Sequence, residues 1–211
     1  MGDILSGVDS SSACTSSTVP CLQSAGIAFV GRYYSRTTQI PGKKLTESEA
    51  LMLSEAGLWL VAVYEDGPTS YSYFSAARGT EDGQSAIAQA EVVGQPKGTC
   101  IYFTVDYNAT ASDIAGNITA YFKAVAAALS GVYTVGVYGS GATCSAMLKA
   151  GLAHLGWLSQ STGWDGYSQF STWVIKQGPE QAICGLNSDS DIAHGDFGAF
   201  RVPQPQLSPE T

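Results

Sequence analysis

The feature of this 211-residue sequence that most restricts its fold is a repeated pattern of glycine followed by a short apolar run. The runs are nearly continuous in apolar and aromatic residues, which is typical of strands buried on both faces of a parallel sheet. A glycine can end a helix in the left-handed conformation without steric cost, so each one can separate a helix from the next strand. The clearest runs are IAFVGRYY after Gly26, LWLVAVYED after Gly57, TCIYFTVD after Gly98, VYTVGVYG after Gly131 and LAHLGWLSQ after Gly151.

Helical patterns lie between these runs. The segment Thr46-Glu47-Ser48-Glu49 predicts a helix start with a capping box, and apolar residues recur at helical spacing over 113–130. With LSGVD at the start and two late strands, STWVIKQ and the segment around Asp191, about eight strands are predicted, all of them parallel. The pattern alone leaves a doubly wound open sheet as an alternative. Eight strands alternating with helices favour a single-domain α/β fold, a compact (β/α)8 TIM-like barrel over residues 4–200 with a Pro-rich tail over 201–211.

The charge balance argues against several classes of partner. The chain has 10 Lys and Arg against 18 Asp and Glu, a net charge of -8, and no basic cluster. We therefore expect no binding to nucleic acid or to anionic membrane surfaces, and no membrane insertion, because no apolar run approaches the ~20 residues that span a bilayer. The opening MGDILSG is not a signal peptide. This leaves a trimmed export signal, another export route or an intracellular location.

Motifs for metals and nucleotide cofactors do not occur in the sequence. There is no CxxC and no HExxH for zinc, and no GxGxxG or P-loop for a nucleotide, so we expect neither a metal nor a cofactor. The five cysteines are an odd number, which leaves at least one thiol unpaired in a monomer. Cys14 and Cys21 lie in one polar segment, and the sequence leaves open whether they form a disulfide bond or remain two free thiols.

Carboxylates stand at the C-terminal ends of several predicted strands, where parallel barrels carry their active sites. Burial at such a position raises the pKa of a carboxyl group towards the range of a general acid. Glycosidic cleavage needs two such groups, one to protonate the leaving oxygen and one to act as nucleophile or base. The alternative for each aspartate is a helix cap. The candidates are Asp9, Glu65, Asp66, Asp106, Asp189 and Asp191.

Aromatic residues cluster near the same strand ends, and flat rings with hydroxyl tips suit sugar faces. Arg32 interrupts the apolar run IAFVGRYY and needs a partner if it is buried. An ion pair of Arg32 with Asp9 or Glu65 would make one of those acids structural, and the tyrosines could instead belong to the core. The predicted substrate-binding residues are Arg32, Tyr33, Tyr64, Tyr102 and Tyr138.

Several phrases, in order over residues 5–200, resemble a known family. They are GVDSSS, FVGRYYS, KKLTESEALMLSEAGLWLVAVYE, IYFTVDYN and VGVYGSG. They are similar to the glycoside-hydrolase-like domain catalogued as domain of unknown function 1906, a relative of the lysozymes of glycoside hydrolase family 25. Those lysozymes fold as compact β/α barrels and cleave peptidoglycan between its sugars. The resemblance implies the same barrel and cell-wall sugar as the substrate class.

The resemblance also implies roles for individual residues. Asp9 matches the aspartate on the first strand of the lysozymes, and Asp191 resembles the acid on their last strand. Asp106 falls at the second acid of their Asp-x-Glu pair, whereas Thr104 stands where the first acid would be. Glu65 has the position of a strand-three acid typical of the family itself. Another acid, Glu65 or Asp9, must therefore substitute for the missing one if the chain is catalytic.

These observations together predict a peptidoglycan-directed, muramidase-like glycoside hydrolase. In this hypothesis Asp106 is the general acid, and Asp9, Glu65 and Asp191 share the work of base and substrate orientation. The alternative is a catalytically inactive barrel that binds glycan, which the missing acid at Thr104 favours. We expect a monomer whose partner is cell-wall glycan, located outside the cytoplasm, either secreted or delivered to the cell envelope.

Overall fold

Eight strands close into one barrel and follow one another around it in chain order. The computed structural model describes residues 3–203. The closed ring confirms the predicted barrel over the open sheet. The strands are β1 Leu5–Ser10, β2 Phe29–Tyr34, β3 Trp59–Tyr64, β4 Cys100–Thr104, β5 Thr134–Gly139, β6 Leu155–Leu158, β7 Ile175–Ile183 and β8 Leu186–Ala193.

Strand β8 runs in the opposite direction to its two neighbours. The pairs from β1–β2 to β6–β7 are parallel, whereas β8 is antiparallel to both β7 and β1. Only Cys184 and Gly185 separate β7 from β8, and both have positive φ, 54° and 77°, as tight hairpin turns require. The prediction that all strands are parallel is wrong for β8, because a two-residue turn leaves no room for the crossover that a parallel return needs.

Helices cover the outside of the barrel and follow most of the parallel strands. Thr46 begins the second helix as predicted, because its hydroxyl accepts a hydrogen bond from the Glu49 backbone N–H at 3.3 Å. The helix predicted over 113–130 is interrupted by a π-helical turn, Ile114–Ile118, in which Gly116 has non-helical backbone angles. The helices are α1 Thr18–Ser24, α2 Glu47–Glu55, α3 Ala76–Val93, α4 Ala111–Asp113, α5 Thr119–Leu129 and α6 Gly141–Lys149.

Two apolar layers hold the fold together, one inside the barrel and one between the barrel and its helices. Phe29, Val61, Tyr102 and Trp157 belong to the interior, while Val30 and the other outward side chains pack under the helices. Successive residues of a strand point to opposite faces of the sheet. Of two adjacent strand residues, therefore, only one can reach the interior and the barrel mouth above it.

The cysteines pair differently from the prediction. Cys21 in α1 is bonded to Cys184 in the β7–β8 turn, 163 positions further along the chain, with a Cα–Cα distance of 5.7 Å. Cys14 is a buried free thiol, so the suggested Cys14–Cys21 bond is wrong, and Cys100 and Cys144 are also free and buried. The chain folds the hairpin tip onto α1, a long-range approach that local spacing of cysteines does not reveal.

The C-terminal segment packs on the barrel as far as it is described. The Val202 N–H donates to the Ser54 hydroxyl at 2.9 Å, and the Arg201 guanidinium lies 4.1 Å from the centre of the Trp59 ring. The remainder of the predicted Pro-rich tail, 204–211, lies outside the described residues. Within residues 3–203, no helix combines the length and the apolar character needed to cross a membrane.

Candidate active site

The barrel mouth, at the C-terminal ends of the parallel strands, opens into a cleft of about 270 Å³. Its lining is predominantly polar, and it comes from strands all around the ring. Four carboxylates face it, those of Asp9, Glu65, Asp106 and Asp189. The other lining residues are Tyr33, Val63, Thr104, Tyr138, Trp157, Ser159, Gln160, Ser161 and Gln177.

The topology divides the carboxylates between two walls. Asp9 on β1 and Asp189 on β8 are direct register partners. Glu65 follows β3 and Asp106 lies just after β4, so these two acids share the other side of the ring. In an eight-stranded ring β4 and β8 lie opposite each other, and a substrate in the cleft would therefore have acidic groups on both sides.

A hydrogen-bond network centred on Gln177 holds the β1–β8 wall. Its Nε2 donates to Asp9 Oδ2 at 2.9 Å and to Asp189 Oδ2 at 3.1 Å. The Tyr138 hydroxyl donates to Gln177 Oε1 at 2.8 Å, which orients the amide with its NH₂ towards the two acids. The Tyr33 hydroxyl donates to Asp9 Oδ1 at 2.7 Å. The sequence analysis did not single out Gln177, although it lies at an inward position of β7.

Burial raises the pKa of both acids on this wall. For Asp9, hydrogen bonds from Tyr33 and Gln177 favour the charged form and act against the effect of burial. For Asp189, burial together with repulsion from Asp9 and Glu180 raises the pKa to about 6. Asp189 therefore titrates in a range suited to acid–base chemistry near neutral pH.

Asp191 lies beneath the cleft and does not line it. It pairs in register with Gly7, one inward position below Asp9, because β8 descends into the barrel from Asp189. The Trp157 indole N–H donates to Asp191 Oδ1 at 3.1 Å, whereas the buried Oδ2 receives no hydrogen bond; a proton on this carboxyl group is shared with the carboxylate of Asp9. Burial and the charge of Asp9 raise the pKa of Asp191 well above its usual range, which favours the protonated form. The acid exposed on β8 is therefore Asp189.

The opposite wall contains an ion pair and a carboxyl group without one. Lys43 Nζ lies 2.5 Å from Glu65 Oε1 and 4.5 Å from the centre of the Tyr33 ring. Among the described residues, no side chain donates a hydrogen bond to the Asp106 carboxyl group. Burial raises the pKa of Asp106, the charges of Glu65 and Asp189 raise it further, and Lys43 acts in the opposite direction. This is the environment of a proton donor.

Three of the predicted substrate-binding residues lie outside the cleft. Arg32 is fully buried and faces α2, where its Nε lies 2.7 Å from Glu49 Oε1, so its ion pair is with neither Asp9 nor Glu65. Tyr64 also points outward, with its hydroxyl 3.3 Å from Asp82 Oδ1. Tyr102 is inside the barrel but donates to the Phe197 carbonyl at 2.9 Å, below the mouth.

Tyr33 and Tyr138 do line the cleft, and both hydroxyls belong to the acid network. Thr104 lines the cleft as well, with its hydroxyl donating to the Tyr64 carbonyl at 3.2 Å. Within residues 3–203, no group of three or more His, Cys, Asp or Glu side chains is arranged to hold a metal ion.

A β/α barrel with acids on both sides of its mouth has the architecture of a glycoside-hydrolase-like domain. The chain belongs to the Rv2525c-like, glycoside hydrolase-like domain family, whose sequence profile matches residues 20–202. This confirms the resemblance read from the sequence.

Individual relatives agree with this assignment. The uncharacterized protein YbfG of Bacillus subtilis is 32% identical over 221 residues, which cover 95% of this chain but only 30% of YbfG. The Tat-secreted protein Rv2525c of Mycobacterium tuberculosis, solved with L-tartrate, superposes with a TM-score of 0.80 at 20% identity, covering 92% of this chain and 98% of that one. A family GH25 lysozyme from Aspergillus fumigatus gives a TM-score of 0.55 at 13% identity, covering 92% and 96%. The two structural matches show that the fold is shared.

Proposed function

We propose that this domain is a glycoside hydrolase that cleaves cell-wall peptidoglycan, in the manner of a muramidase. The observation that carries the proposal is the placement of Asp106, with its raised pKa, across the barrel mouth from Asp9 and Asp189. The fold shared with a GH25 lysozyme supports the choice of cell-wall sugar as the substrate class.

Asp106 is the general acid in this proposal. Glycosidic cleavage begins when a carboxylic acid donates a proton to the oxygen that leaves. The carboxyl group of Asp106 has no hydrogen-bond donor from a side chain among the described residues, and the charges of Glu65 and Asp189 oppose its ionisation. A carboxyl group in that position keeps its proton to a higher pH than a solvated aspartate and can deliver it to the substrate.

Asp9 stabilises the positive charge that develops on the sugar ring. An oxocarbenium-like transition state is stabilised by a nearby carboxylate that is already fixed in place. Tyr33 and Gln177 each donate a hydrogen bond to one oxygen of Asp9 and hold the group rigidly. Tyr33 and Tyr138 form part of the cleft wall beside it, with Lys43 lying over the Tyr33 ring.

The second candidate is a barrel that binds glycan without cleaving it. Thr104 supplies no carboxylate where the resemblance places the first acid of the lysozyme pair, and Lys43 neutralises Glu65 at 2.5 Å. These two observations leave fewer carboxylates available for catalysis and so favour a domain that binds glycan without cleaving it. The cleft would still bind sugar through its hydrogen-bonding groups and its two tyrosines.

Digestion of purified peptidoglycan separates the two candidates. The enzyme releases soluble fragments with new reducing ends, and mass spectrometry of those ends identifies the cleaved bond. The binding module sediments with the insoluble wall and releases no fragments. A protein that does neither over pH 4–8 would contradict both candidates.

We also propose that the domain works outside the cytoplasm as a monomer. The Cys21–Cys184 disulfide supports the location, because such bonds persist mainly in oxidising compartments. Rv2525c, which shares the fold, is a Tat-secreted protein. Because the chain spans less than a third of YbfG, the partners of a longer protein could differ from those of this domain.

A further inference from the structure

Two carboxyl groups meet beneath the barrel mouth, and only one of them lines the cleft. Asp9 lines it, whereas Asp191 lies one inward position lower, paired in register with Gly7 and only 3% exposed. The two groups are in hydrogen-bonding contact, and both are buried. Two buried carboxylates in contact repel each other strongly, so the pair holds one proton between them. What this proton does depends on which group carries it.

The hydrogen-bond donors around the pair are unequal. Asp9 accepts from two side chains, the Tyr33 hydroxyl at 2.7 Å on Oδ1 and the Gln177 amide at 2.9 Å on Oδ2. Asp191 accepts from one, the Trp157 indole N–H at 3.1 Å on Oδ1. Each donor stabilises the ionised form of the acid that accepts from it. The negative charge therefore belongs to Asp9 and the proton to Asp191.

We propose that Asp191 is a protonated positioning residue, whose Oδ2 donates a hydrogen bond from below to the carboxylate of Asp9. The proposal rests on the proposed function and concerns the same site. The sequence hypothesis gave Asp191 a share in the work of base and substrate orientation, which requires contact with the substrate. Its place beneath the cleft lets it act only through Asp9.

A proton on Asp191 Oδ2 also explains an otherwise unsatisfied atom. Among the described residues, this oxygen is one of two buried side-chain polar atoms without a hydrogen-bond partner. Leaving such an atom unpaired costs free energy. With the proton on Oδ2, the carboxyl group accepts from Trp157 through one oxygen and donates to Asp9 through the other. Both oxygens are then satisfied.

The packing beside the pair leaves little space for another arrangement. A Cβ atom added to Gly31 on β2 would lie 2.8 Å from the Asp9 Cβ and 2.9 Å from the Trp157 ring. Only glycine at this position therefore lets the two side chains lie so close to the strand. Because Trp157 is held there, its indole N–H selects Asp191 Oδ1 as the accepting oxygen and leaves Oδ2 for Asp9.

The role of Asp191 in this proposal is to keep Asp9 charged and fixed while positive charge develops on the sugar. Burial raises the pKa of Asp9, and the hydrogen bond from Asp191 acts in the opposite direction. The charges of Glu65 and Asp189 repel a charge on the pair, so Asp9 depends on its donors to stay ionised. The other titratable side chains that face the pair are Tyr33 on β2 and Tyr138 on β5.

The test replaces the two acids with asparagine and compares cleavage of soluble peptidoglycan fragments. Asparagine reproduces a protonated Asp191, because its Oδ1 can accept from Trp157 and its Nδ2 can donate to Asp9. We expect Asp191→Asn to stay within about threefold of the wild-type kcat, since both hydrogen bonds persist. The matched variant Asp9→Asn loses the charge itself and should fall by about 100-fold or more.

A third variant, Asp191→Leu, removes the donor and fills the same space. Its kcat should fall by about 10- to 100-fold, the usual effect of one hydrogen bond to a charged group, while KM stays unchanged. The loss of a donor raises the pKa of Asp9, so the acidic limb of the pH–rate profile should move to higher pH in this variant and stay in place in Asp191→Asn. A merely structural role would leave that limb unmoved.

The indole N–H of Trp157 reports on the proton without any substrate. Its NMR signal, assigned with Trp157→Phe, should lie at nearly the same position in wild type and in Asp191→Asn at pH 7, because both acceptors are uncharged. A hydrogen bond to a carboxylate is stronger and would shift the wild-type signal downfield of the variant.

The outcomes separate this inference from the proposed function. An Asp191→Asn variant as impaired as Asp9→Asn, a folded Asp191→Leu variant with the wild-type kcat and pH profile, or a downfield wild-type indole signal would overturn the role of Asp191 and leave the proposed function standing. A wild type that does not cleave would overturn the proposed function, and the indole signal would still decide where the proton lies.

Discussion

Removal of the Cys21–Cys184 bond should lower the stability of the barrel substantially. The bond joins residues 163 positions apart, so it restricts an unusually long segment of the unfolded chain. The loop-entropy relation gives about 5 kcal/mol for such a loop as an upper figure, and measured effects are commonly about 2–4 kcal/mol. We expect the double variant Cys21→Ser, Cys184→Ser to lose about 3–5 kcal/mol in free energy of unfolding. At about 2–4 °C per kcal/mol for a domain of this size, the Tm should fall by about 6–20 °C.

Thermal melts with and without reductant provide the matched comparison. Wild-type protein should melt at a lower temperature in reductant, whereas the double variant should melt at the same temperature in both buffers. Peptide mapping without reductant should recover Cys21 and Cys184 in one cross-linked fragment. A wild-type Tm that reductant shifts by less than about 2 °C, or a cross-linked fragment that contains Cys14, would refute the reasoning.

Three further predictions concern packing and charge. Glu49→Ala should cost about 3–5 kcal/mol in urea unfolding, because it leaves the fully buried charge of Arg32 without its partner; a loss below 1 kcal/mol would count against this. Gly79→Ala should lower stability by about 1–3 kcal/mol in the same assay, although alanine favours helices, because its Cβ would lie 2.3 Å from the Tyr121 carbonyl oxygen; an unchanged unfolding midpoint would refute the clash. Folding raises the pKa of Asp189 from 3.8 to about 6, so the folded chain holds this proton more tightly and its stability falls as the pH rises through that interval. The Asp189→Asn variant lacks this pH-dependent loss of stability, so thermal melts should show the variant more stable than wild type at pH 7 but not at pH 4. Variant and wild type of equal stability at both pH values would contradict the raised pKa of Asp189.

The barrel and most of its strands could be predicted from the sequence because the signals are local. The runs after Gly26, Gly57, Gly98 and Gly131 each contain one strand, β2 to β5. The direction of β8 could not be predicted from its composition, because a run of this kind looks the same in either direction. The dipeptide Cys184–Gly185, between Ile183 and Leu186, was the available sign of a hairpin.

Five of the nine predicted site residues line the cleft, and the other four lie outside it for identifiable physical reasons. Asp9, Glu65, Asp106, Tyr33 and Tyr138 all line the cleft. Whether a side chain faces the barrel interior is determined by its place in the alternation along the strand. Its nearness to the end of the strand does not determine this.

Side-chain alternation places Arg32 and Tyr64 outside the cleft, the direction of β8 places Asp191 below it, and Tyr102 faces inward one position below Thr104. Arg32 is adjacent to Tyr33, so the two side chains must face opposite layers, and the same reasoning places Tyr64 outside the barrel. Asp191 and Asp189 both face inward, but the reversed strand lowers Asp191 into the core. Gln177 could have been found from its position two residues after the inward-facing Ile175.

The rate of peptidoglycan cleavage by Asp106→Asn tests the central claim most directly. The substitution keeps the shape of the side chain but removes the proton that Asp106 donates. Release of new reducing ends should fall by at least about 100-fold relative to wild type, while binding to the same wall preparation and the Tm stay unchanged or rise. An active wild type with an equally active Asp106→Asn would contradict the role of Asp106 as general acid. A wild type that binds the wall without cleaving it over pH 4–8, with equal binding by the variant, would show that the domain is a glycan-binding module.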